Sequence, residues 1–548
     1  MPNYTSIRVT KVVHQQLQGY AESCYDGLSL TAALGQLLAD LGDGHVRFPE
    51  YGLFQCPAHR RERLRAVIGT QPPAGAGDMA GAVAGAGALP ADPYMRVEKD
   101  TMGEMEVPAD ALWGASTQRA VLNFPVSGLR MGRSFIRALG CIKVAAARAN
   151  QQLELLDSGI AEAVEQAALA VAEGEHDAHF PVDVFQTGSG TSSNMNANEV
   201  IARLASESLG SRVHPNDHVN LGQSSNDVVP TALHLSALLE LHGQLLPALL
   251  ALQTALEAKA VEFHAVIKTG RTHLMDATPI RLGQEFEGYA GLVERALDRL
   301  LVAQDELAPL ALGGTAVGTG VNTHPEFAGL ACEELSQLAG IDVHETDNHF
   351  LAQSSLDGVL AMGGALRCLA VALQKIANDI RWLGSGPRCG LAEIRLPSVQ
   401  PGSSIMPGKV NPVIPEAVIQ ASAQAIACDT ALLQAAQGGY LELNTMLPLA
   451  AHNLLQAIQL LGAASTIFGE KCIAGLEATG RGPELLQSGL MLATALAPVV
   501  GYEQAAKIAK AAHASGRTVL EEALEITDLP EQELRELLDP AGMVAPAG

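Results

Sequence analysis

Long stretches with apolar residues at every third or fourth position constrain this chain more than any other feature of its sequence. Several of them exceed about 20 residues, which is longer than the usual helix of a globular protein. Their polar residues do not keep to one side, so we expect many of these helices to be buried in the core of a bundle. The stretches are 133–156, 160–173, 231–263, 284–308, 326–339, 357–383, 415–437 and 447–468.

Polar, glycine-rich segments separate the predicted helices. Segments of this kind between long helices are typical of a scaffold that carries functional loops at its ends. They fall at 186–198, 213–227, 269–278, 312–324 and 400–412.

The composition favours an all-α protein and excludes some classes of function. Apolar residues make up 48% of the chain and aromatic residues only 4%, and Ala and Leu dominate, which favours helix over sheet. The formal net charge of −24 argues against a nucleic-acid-binding protein as a whole. Exposed charges are screened beyond about 8 Å at physiological ionic strength, so a few local cations can still favour an anionic substrate.

We expect no membrane association and a cytoplasmic location. Polar residues interrupt the longest apolar stretches, so that none reaches the length of a membrane span. The N-terminus lacks the basic start and apolar run of a secretory signal. The eight cysteines show no CxxC spacing, which predicts a reducing compartment with neither a structural disulfide nor a zinc site.

The chain divides into a short front part and a long unit. Residues 71–93 are almost entirely Gly, Ala and Pro, the composition of a flexible linker. We predict an appendage at 1–70 before this linker. The long unit is predicted to contain an N-terminal domain at 94–222, a central helical bundle at 223–480 and a C-terminal helical domain at 481–548.

The appendage has two interpretations. Residues 4–10 alternate like a short strand, and helical patterns follow at 11–22 and 29–41. This order resembles the ribbon-helix-helix modules of small repressors, whose paired strands enter the major groove of DNA. Only Arg8 and Lys11 are basic near the strand, which favours a dimerising or solubilising appendage instead.

The segment Gly402–Asn411 contains a pair of serines, a cation and a carboxamide within ten residues. Pro407 and the glycine after it exclude a helix interior. We interpret the segment as a closing loop whose backbone amides and Lys409 can bind an anion while Ser403 supplies a reactive group. The alternative is a surface turn rich in small residues.

Three other loops are dense in neutral hydrogen-bond donors, namely Ser, Thr, Asn and backbone amides. A small dicarboxylate needs many short hydrogen bonds at both ends, and these residue types supply them. Any one of the loops alone is also compatible with a helix cap or a turn. The loops are 187–196, 214–227 and 270–279.

Taken with Gly402–Asn411, these loops resemble the fumarase/aspartase superfamily, and class II fumarate hydratases in particular. The resemblance runs from about Met95 to the C-terminus. Five further segments carry it, at 113–120, 313–324, 378–390, 442–444 and 501–503.

The resemblance implies an all-α fold in three domains with a long central helical bundle. It also implies a homotetramer whose bundles form a twenty-helix core, with each active site built from loops of three chains. The glycine-rich run at 313–320 has no surrounding βαβ pattern, so we interpret it as a structural loop rather than a dinucleotide site.

The same resemblance implies a reversible addition of water to fumarate, giving (S)-malate through an aci-carboxylate intermediate, with no cofactor and no metal. Ser403 would take the carbon proton, and His273, held by Glu416, would handle the proton of the water or hydroxyl. The substrate-binding residues would be Ser189, Thr191, Ser224, Ser225, Asn226, Thr272, Lys409 and Asn411.

His214, Asn216 and Asp217 match a second anion site of the family, which we expect to bind rather than to catalyse. The spacing of His214 and His218 also suggests metal ligands. Pro215 prevents a shared helix face and no further ligand cluster is evident, so we predict no metal there.

Two rival functions differ from the fumarase interpretation. Aspartate ammonia-lyase shares the fold and the base loop, and the segment 411–416 is equally similar to some aspartases, whereas Ser225 and His273 favour fumarase. The other rival is a structural or regulatory homologue without activity. The intact set of Ser403, Lys409 and the other implied site residues argues against it.

Overall fold

Residues 95–545 are described by the structure, a computed structural model in which helices dominate and all strands are short. The all-α prediction is thereby confirmed. The predicted appendage at 1–70 and the linker at 71–93 lie outside the described residues.

The described part begins with an antiparallel hairpin and four helices. Strand β1 (Met95–Asp100) pairs with β2 (Gly103–Pro108). The helices are α1 (Ala115–Asn123), α2 (Arg133–Gln152), α3 (Ser158–Glu173) and α4 (Thr191–Leu209). Glu199 of α4 accepts hydrogen bonds from the backbone N–H groups of Gly114, Ser116 and Thr117 at 2.9–3.0 Å. This distant carboxylate therefore replaces the side-chain cap that α1 lacks.

The centre of the molecule is a bundle of long helices. Its helices are α5 (Ser225–Glu240), α6 (Leu246–Glu262), α7 (Leu282–Asp305), α8 (Phe327–Ala339), α9 (His349–Ser354), α10 (Asp357–Leu383), α11 (Val413–Ala436) and α12 (Leu447–Lys471). Helix α11 packs against both α10 and α12, α7 packs against α6 and α10, and α2 packs against α5. The shorter helices α8 and α9 lie between α7 and α10 in the chain.

Two segments contradict the prediction from the sequence that no apolar stretch reaches the length of a membrane span. Ser225–Glu262, which joins α5 and α6 through a π turn, and Asp357–Leu383 are both long and apolar enough to cross a membrane by length and composition. Two further helical segments, 481–487 and 490–500, are joined by a bend and would be a third candidate only if together they formed one span. In the structure, 50% of the most apolar part of Ser225–Glu262 and 56% of that of Asp357–Leu383 are buried, because neighbouring bundle helices cover them.

A second hairpin interrupts the helical bundle. Strand β3 (Ile267–Thr272) pairs antiparallel with β4 (Met275–Arg281), with a register irregularity between Thr269 and Arg271. The sequence predicted only a loop at 269–278 here. The other strands are two residues each: β5 (Pro309–Leu310), β6 (His344–Glu345), β7 (Ile394–Arg395), β8 (Gly439–Tyr440), β9 (Leu443–Asn444) and β10 (Glu477–Ala478).

Short helices complete the chain and enclose a core of their own. Buried residues from Leu486 to Leu538 form a cluster separate from the main core, and Ile267 of β3 packs against it. Helix α13 (Arg481–Gln487) packs on β3, and the 3-10 turn Leu490–Leu496 packs on β4. The helices are α13 (Arg481–Gln487), α14 (Ala497–Val500), α15 (Tyr502–Ser515), α16 (Val519–Ile526) and α17 (Glu531–Leu537).

The main hydrophobic core is one connected cluster of buried residues, the first of which is Met131 and the last Leu476. It therefore includes residues on both sides of the predicted boundary at residue 222. The division into N-terminal domain, central bundle and C-terminal domain stays a prediction.

Candidate active site

The first predicted loop is fixed against two neighbouring segments by its glycines. A Cβ on Gly188 would lie 1.8 Å from the carbonyl oxygen of Thr445, and Gly190 has a φ of +71°. These two glycines place Thr191 as the first residue of α4. The hydroxyls of Ser189 and Thr191 lie 2.8 Å apart, so the loop brings together two predicted substrate-binding groups.

The N-terminus of α5 carries three further predicted binding residues. Ser224 is the N-cap and forms a capping box with Asp227. Ser225 accepts a hydrogen bond at 3.0 Å from the side-chain amide of Asn194, and Asn226 donates one at 2.8 Å to the carbonyl of Ala316. Both side chains are therefore held in place, and the positive end of the helix dipole lies beside them.

Asp227 connects this helix end to the glycine-rich loop at 313–320. Its carboxylate is fully buried and accepts hydrogen bonds from the backbone N–H groups of Ser224, Gly313 and Thr315 at 2.9, 3.0 and 2.9 Å. Burial raises the pKa of Asp227, and the three N–H donors and Lys143 act in the opposite direction. The 313–320 run is thus a structural partner of the binding loop, in agreement with its interpretation from the sequence.

The Ser403 loop is a tight turn that aims backbone donors at one hydroxyl. Ser403 Oγ accepts hydrogen bonds from the N–H groups of Ile405 at 3.2 Å and Met406 at 2.9 Å. The loop is closed at its base, because Gly402 N–H donates to the carbonyl of Lys409 and Asn411 donates to the carbonyl of Gly402. Two converging N–H groups favour the deprotonated form of a hydroxyl over its neutral form.

Thr272 and His273 lie at the tip of the β3–β4 hairpin. His273 and Leu274 form its two-residue turn with φ values of 57° and 60°, as in a type I′ turn. Both tip residues are exposed, Leu274 by 65%. The hairpin therefore presents its predicted proton-handling group to the outside of the chain.

Buried charges hold the base of the hairpin. Lys268 of β3 is 1% exposed and lies 3.0 Å from carboxylate oxygens of both Glu285 and Glu393. Arg271 lies 2.9 Å from the other oxygen of Glu393. The contacts of Glu393 have ion-pair distances without hydrogen-bond geometry. Since Glu393 precedes the Ser403 loop in the chain, these ion pairs connect the hairpin to the segment that leads into that loop.

The predicted residues thus form three groups in one chain: the loops around Thr191 and Ser225, the Ser403 loop and the hairpin tip. Within residues 95–545, no hydrogen bond or ion pair joins one group to another. Glu416 lies in the first turn of α11, and within the same range no hydrogen bond links it to His273. The His273–Glu416 pair stays a prediction.

The predicted second anion site forms a π turn at Pro215–Val219. His214 Nδ1 accepts hydrogen bonds from the backbone N–H groups of Asn216 at 3.3 Å and Asp217 at 3.1 Å. The same nitrogen lies 3.1 Å from Asp217 Oδ2, so the turn brings two of the three predicted residues into contact. The anion-binding role of this site stays a prediction.

Sequence reasoning missed a buried polar cluster beneath the Ser225 loop, formed by Lys143, Asn194 and Asn220. Lys143 is 0% exposed, and burial lowers its pKa to about 7 while the charge of Asp227 acts in the opposite direction. A signal was available in the sequence of α2. Residues 139, 146 and 147, which share a helix face with residue 143, are all apolar, so the pattern places a lone lysine on a buried stripe.

The three groups complement each other chemically. The hydroxyls and amides around Thr191 and Ser225 are neutral donors suited to carboxylates. The Ser403 loop offers a hydroxyl that accepts two backbone N–H groups and carries Lys409 as a cation, and the hairpin offers an imidazole. Together they could remove a proton next to a carboxylate and protonate a leaving group.

Comparison with known proteins identifies relatives over most of the chain. A family model described as a lyase matches residues 103–427, and one described as fumarase C C-terminus matches 492–545. Fumarate hydratase class II 2 of Pseudomonas aeruginosa is 53% identical over 82% of this chain and 98% of its own length. The class II fumarate hydratase of Halobacterium salinarum is 54% identical over 82% of this chain and 97% of its own.

Solved structures agree with these sequence matches. The class II fumarase of Schistosoma mansoni superposes with a TM-score of 0.80 at 39% identity, covering 83% of this chain and all of that chain. A fumarate lyase:delta crystallin from Brucella melitensis gives a TM-score of 0.76 at 47% identity, covering 81% of this chain and all of that one. The family resemblance of the sequence is confirmed, and this chain belongs to the class II fumarate hydratase family of lyases.

Proposed function

We propose that this chain catalyses the reversible addition of water to fumarate to give (S)-malate. The observation that carries the proposal is the Ser403 hydroxyl, which accepts two backbone N–H hydrogen bonds in a loop that also presents Lys409. Membership of the class II fumarate hydratase family supports the same reaction.

The dehydration direction shows what each group must do. Ser403, as an alkoxide, takes the proton from the carbon next to one malate carboxylate, and the electron pair moves into that carboxylate to form an aci-carboxylate. His273, held by Glu416, then donates a proton to the hydroxyl on the neighbouring carbon, which leaves as water. The electron pair of the intermediate returns to form the carbon–carbon double bond. Preorganised donors lower the free energy of the charged intermediate.

Substrate binding falls to the neutral donors and one cation. We assign the two carboxylates to the hydroxyls and amides at the ends of α4 and α5 and to Lys409 with Asn411. Because a dicarboxylate carries its charges at both ends, donors on two separate loops suit it better than a single anion site. The residues proposed to bind are Ser189, Thr191, Ser224, Ser225, Asn226, Thr272, Lys409 and Asn411.

We further propose that the site is completed by a homotetramer. Apolar side chains on four bundle helices are exposed in the single chain: Leu250 by 56%, Val302 by 69%, Val371 by 55% and Leu433 by 51%. Packing against other copies would bury them and could bring the three separate groups together. The six described cysteines are free, which supports a cytoplasmic location.

The product formed from fumarate tests this function against its rivals. The purified protein is incubated with fumarate, with and without ammonium, and the products are identified by NMR. We expect malate in both samples. Aspartate formed only with ammonium, without malate, would instead identify an aspartate ammonia-lyase. A folded tetramer that forms neither product would indicate an inactive homologue.

A further inference from the structure

A lysine in the middle of helix α2 is completely buried. Lys143 is 0% exposed and is flanked on its helix face by the buried residues Leu139, Ala146 and Ala147. Among residues 95–545, no carboxylate lies within ion-pair distance of its Nζ. Burying an ammonium without a paired carboxylate is costly, so its contacts must explain why it is there.

The Lys143 ammonium contacts the segment that leads into α5. It donates hydrogen bonds to Asn220 Oδ1 and to Gln223 Oε1, both at 2.9 Å. These residues lie between the predicted second anion site and the Ser224 cap. The lysine therefore lies directly beneath the loop that presents Ser225 and Asn226.

The hydrogen bonds continue from Asn220 to the Ser225 hydroxyl. Asn220 Oδ1 also accepts hydrogen bonds from Asn194 Nδ2 and Asn198 Nδ2, both at 3.2 Å. The same Asn194 Nδ2 donates its other hydrogen to Ser225 Oγ at 3.0 Å. Lys143 is thus linked to Ser225 through two carboxamides.

We propose that Lys143 is a positioning residue for the Ser225 hydroxyl, because it fixes the direction of this chain of hydrogen bonds. The inference rests on the proposed function, in which Ser225 binds a substrate carboxylate. The Lys143 nitrogen points N–H groups at both side chains and cannot accept when protonated, so the carboxamides of Asn220 and Gln223 turn their oxygens towards it.

The orientation of the Asn220 carboxamide determines which way the Ser225 hydroxyl points. With its oxygen facing Lys143, Asn220 can only receive N–H groups at that atom, and Asn194 must therefore turn its nitrogen towards both Asn220 and Ser225. Ser225 Oγ then accepts from Asn194, and its own proton is free to point into the site. A flipped Asn194 would present its oxygen to Ser225 and bind the proton that a carboxylate needs.

The remaining contacts of Gln223 and Asn220 agree with this orientation, whereas the oxygens of Asn194 and Asn198 are buried without a hydrogen-bond partner among the described residues. Gln223 Nε2 donates to the carbonyls of Val219 and Leu221, both at 3.2 Å, and Asn220 Nδ2 donates to the carbonyl of Gln223 at 3.2 Å. Both carboxamide nitrogens thus meet acceptors while both oxygens meet the lysine. Flipping either side chain would place nitrogen against ammonium and oxygen against carbonyl.

The test is a double-mutant cycle between Lys143→Met and Ser225→Ala. Methionine is likewise unbranched and only one heavy atom shorter, and it removes every donor. We expect Lys143→Met alone to lower kcat/KM for malate roughly 10- to 100-fold, the effect of one hydrogen bond to a charged group. The loss should appear mainly in KM, because the carboxylate is bound in both the ground state and the transition state.

In the Ser225→Ala background, Lys143→Met should have little further effect, since the hydroxyl that it orients is gone. Lys259→Met is the matched control. Lys259 is another buried lysine, but it donates to Glu262 and to the carbonyl of Leu476, away from the Ser225 loop. Its effect on activity should be small and the same in both backgrounds.

A second pair of variants covers the case in which Lys143→Met does not fold. Asn194→Ala removes the link to Ser225, whereas Asn198→Ala removes a donor to the same Asn220 oxygen that does not contact Ser225. We expect only Asn194→Ala to raise KM, and only in the presence of Ser225.

Two results would overturn the inference while leaving the proposed function standing. In one, the wild-type protein forms malate, and the effects of Lys143→Met and Ser225→Ala on kcat/KM are additive in the double variant. The other, if Lys143→Met does not fold, is an Asn194→Ala effect that persists without Ser225. A wild-type protein with no turnover would contradict the proposed function instead.

Discussion

Asp227 accepts a hydrogen bond at 2.9 Å from the backbone N–H of Thr315, which lies 88 residues further along the chain. This contact fixes the start of α5 to the glycine-rich loop. Replacing Asp227 by asparagine puts an N–H₂ group among three N–H donors. We expect the unfolding free energy to fall by about 1–3 kcal/mol, as for a buried donor left without an acceptor.

Thermal unfolding followed by circular dichroism measures this effect, with Asp157→Asn as the control. Asp157 also accepts two backbone N–H groups, at the start of α3, but its cap contacts are exposed. We expect a smaller loss of unfolding free energy for Asp157→Asn. Equal losses for the two variants would mean that the burial of Asp227 does not increase its contribution to stability.

Ser403→Ala should abolish most of the turnover. Removing a base that acts directly on carbon costs about 10²- to 10⁴-fold in kcat. The rate of malate consumption measures the loss, and unchanged helical content shows that the fold is kept. Ser404→Ala changes the exposed neighbouring hydroxyl and should retain near-normal activity. Malate consumed at the wild-type rate by Ser403→Ala would rule out the proposed base.

Mixed tetramers test whether one site takes its groups from several chains. His273→Asn and Ser403→Ala should each be inactive alone. When the two are unfolded together and refolded, random assembly of equal amounts should restore about a quarter of the sites, if each site takes the two residues from different chains. No recovery in the mixed sample, with tetramers present, would place both residues of a site on one chain.

Deleting residues 1–93 should leave hydratase activity intact. The matched family models cover only 103–427 and 492–545, and all predicted site residues lie within residues 189–416. Activity and size-exclusion elution of the shortened protein measure the outcome. Loss of the tetramer on deletion would show that the front segment supports assembly.

Lys143 should make stability depend on pH. Its pKa is lowered by burial from 10.5 to about 7, so between these values the unfolded chain binds more protons than the folded one. The contribution of this group to stability therefore rises with pH across that window, by up to about 1.4 kcal/mol per pH unit.

The stability of wild type relative to Lys143→Met should accordingly increase from neutral to alkaline pH. Denaturant unfolding at several pH values measures the difference. A difference that stays constant across this window would mean that the lysine titrates as it does in the unfolded chain.

The helices were predictable where their apolar pattern was long. Asp357–Leu383 has the bounds that the sequence predicted. Helix α5 begins at Ser225, six residues before the predicted start at 231, because the capping box of Ser224 and Asp227 outweighs the helix-breaking tendency of Pro230. The predicted single helix at 231–263 is also divided by a π turn at Leu241–Leu245.

The hairpin and the buried cluster were harder to predict. Gly270 and Pro279 both disfavour strands, so the sequence indicated a loop at 269–278. The register irregularity beside Gly270 accommodates the first of them. The donor-rich loops were visible from composition. The link from Lys143 to Ser225 was not, since it depends on three segments that meet only in the folded chain.

The hairpin that carries His273 rests on the C-terminal helices as well as on the bundle. Helix α13 and the turn at Leu490–Leu496 pack on its strands, and their core is separate from the larger one. Small separate cores can open while the rest of a protein stays folded. Warming could therefore free the imidazole from its support and stop the reaction while the long helices remain intact, so that inactivation would precede melting.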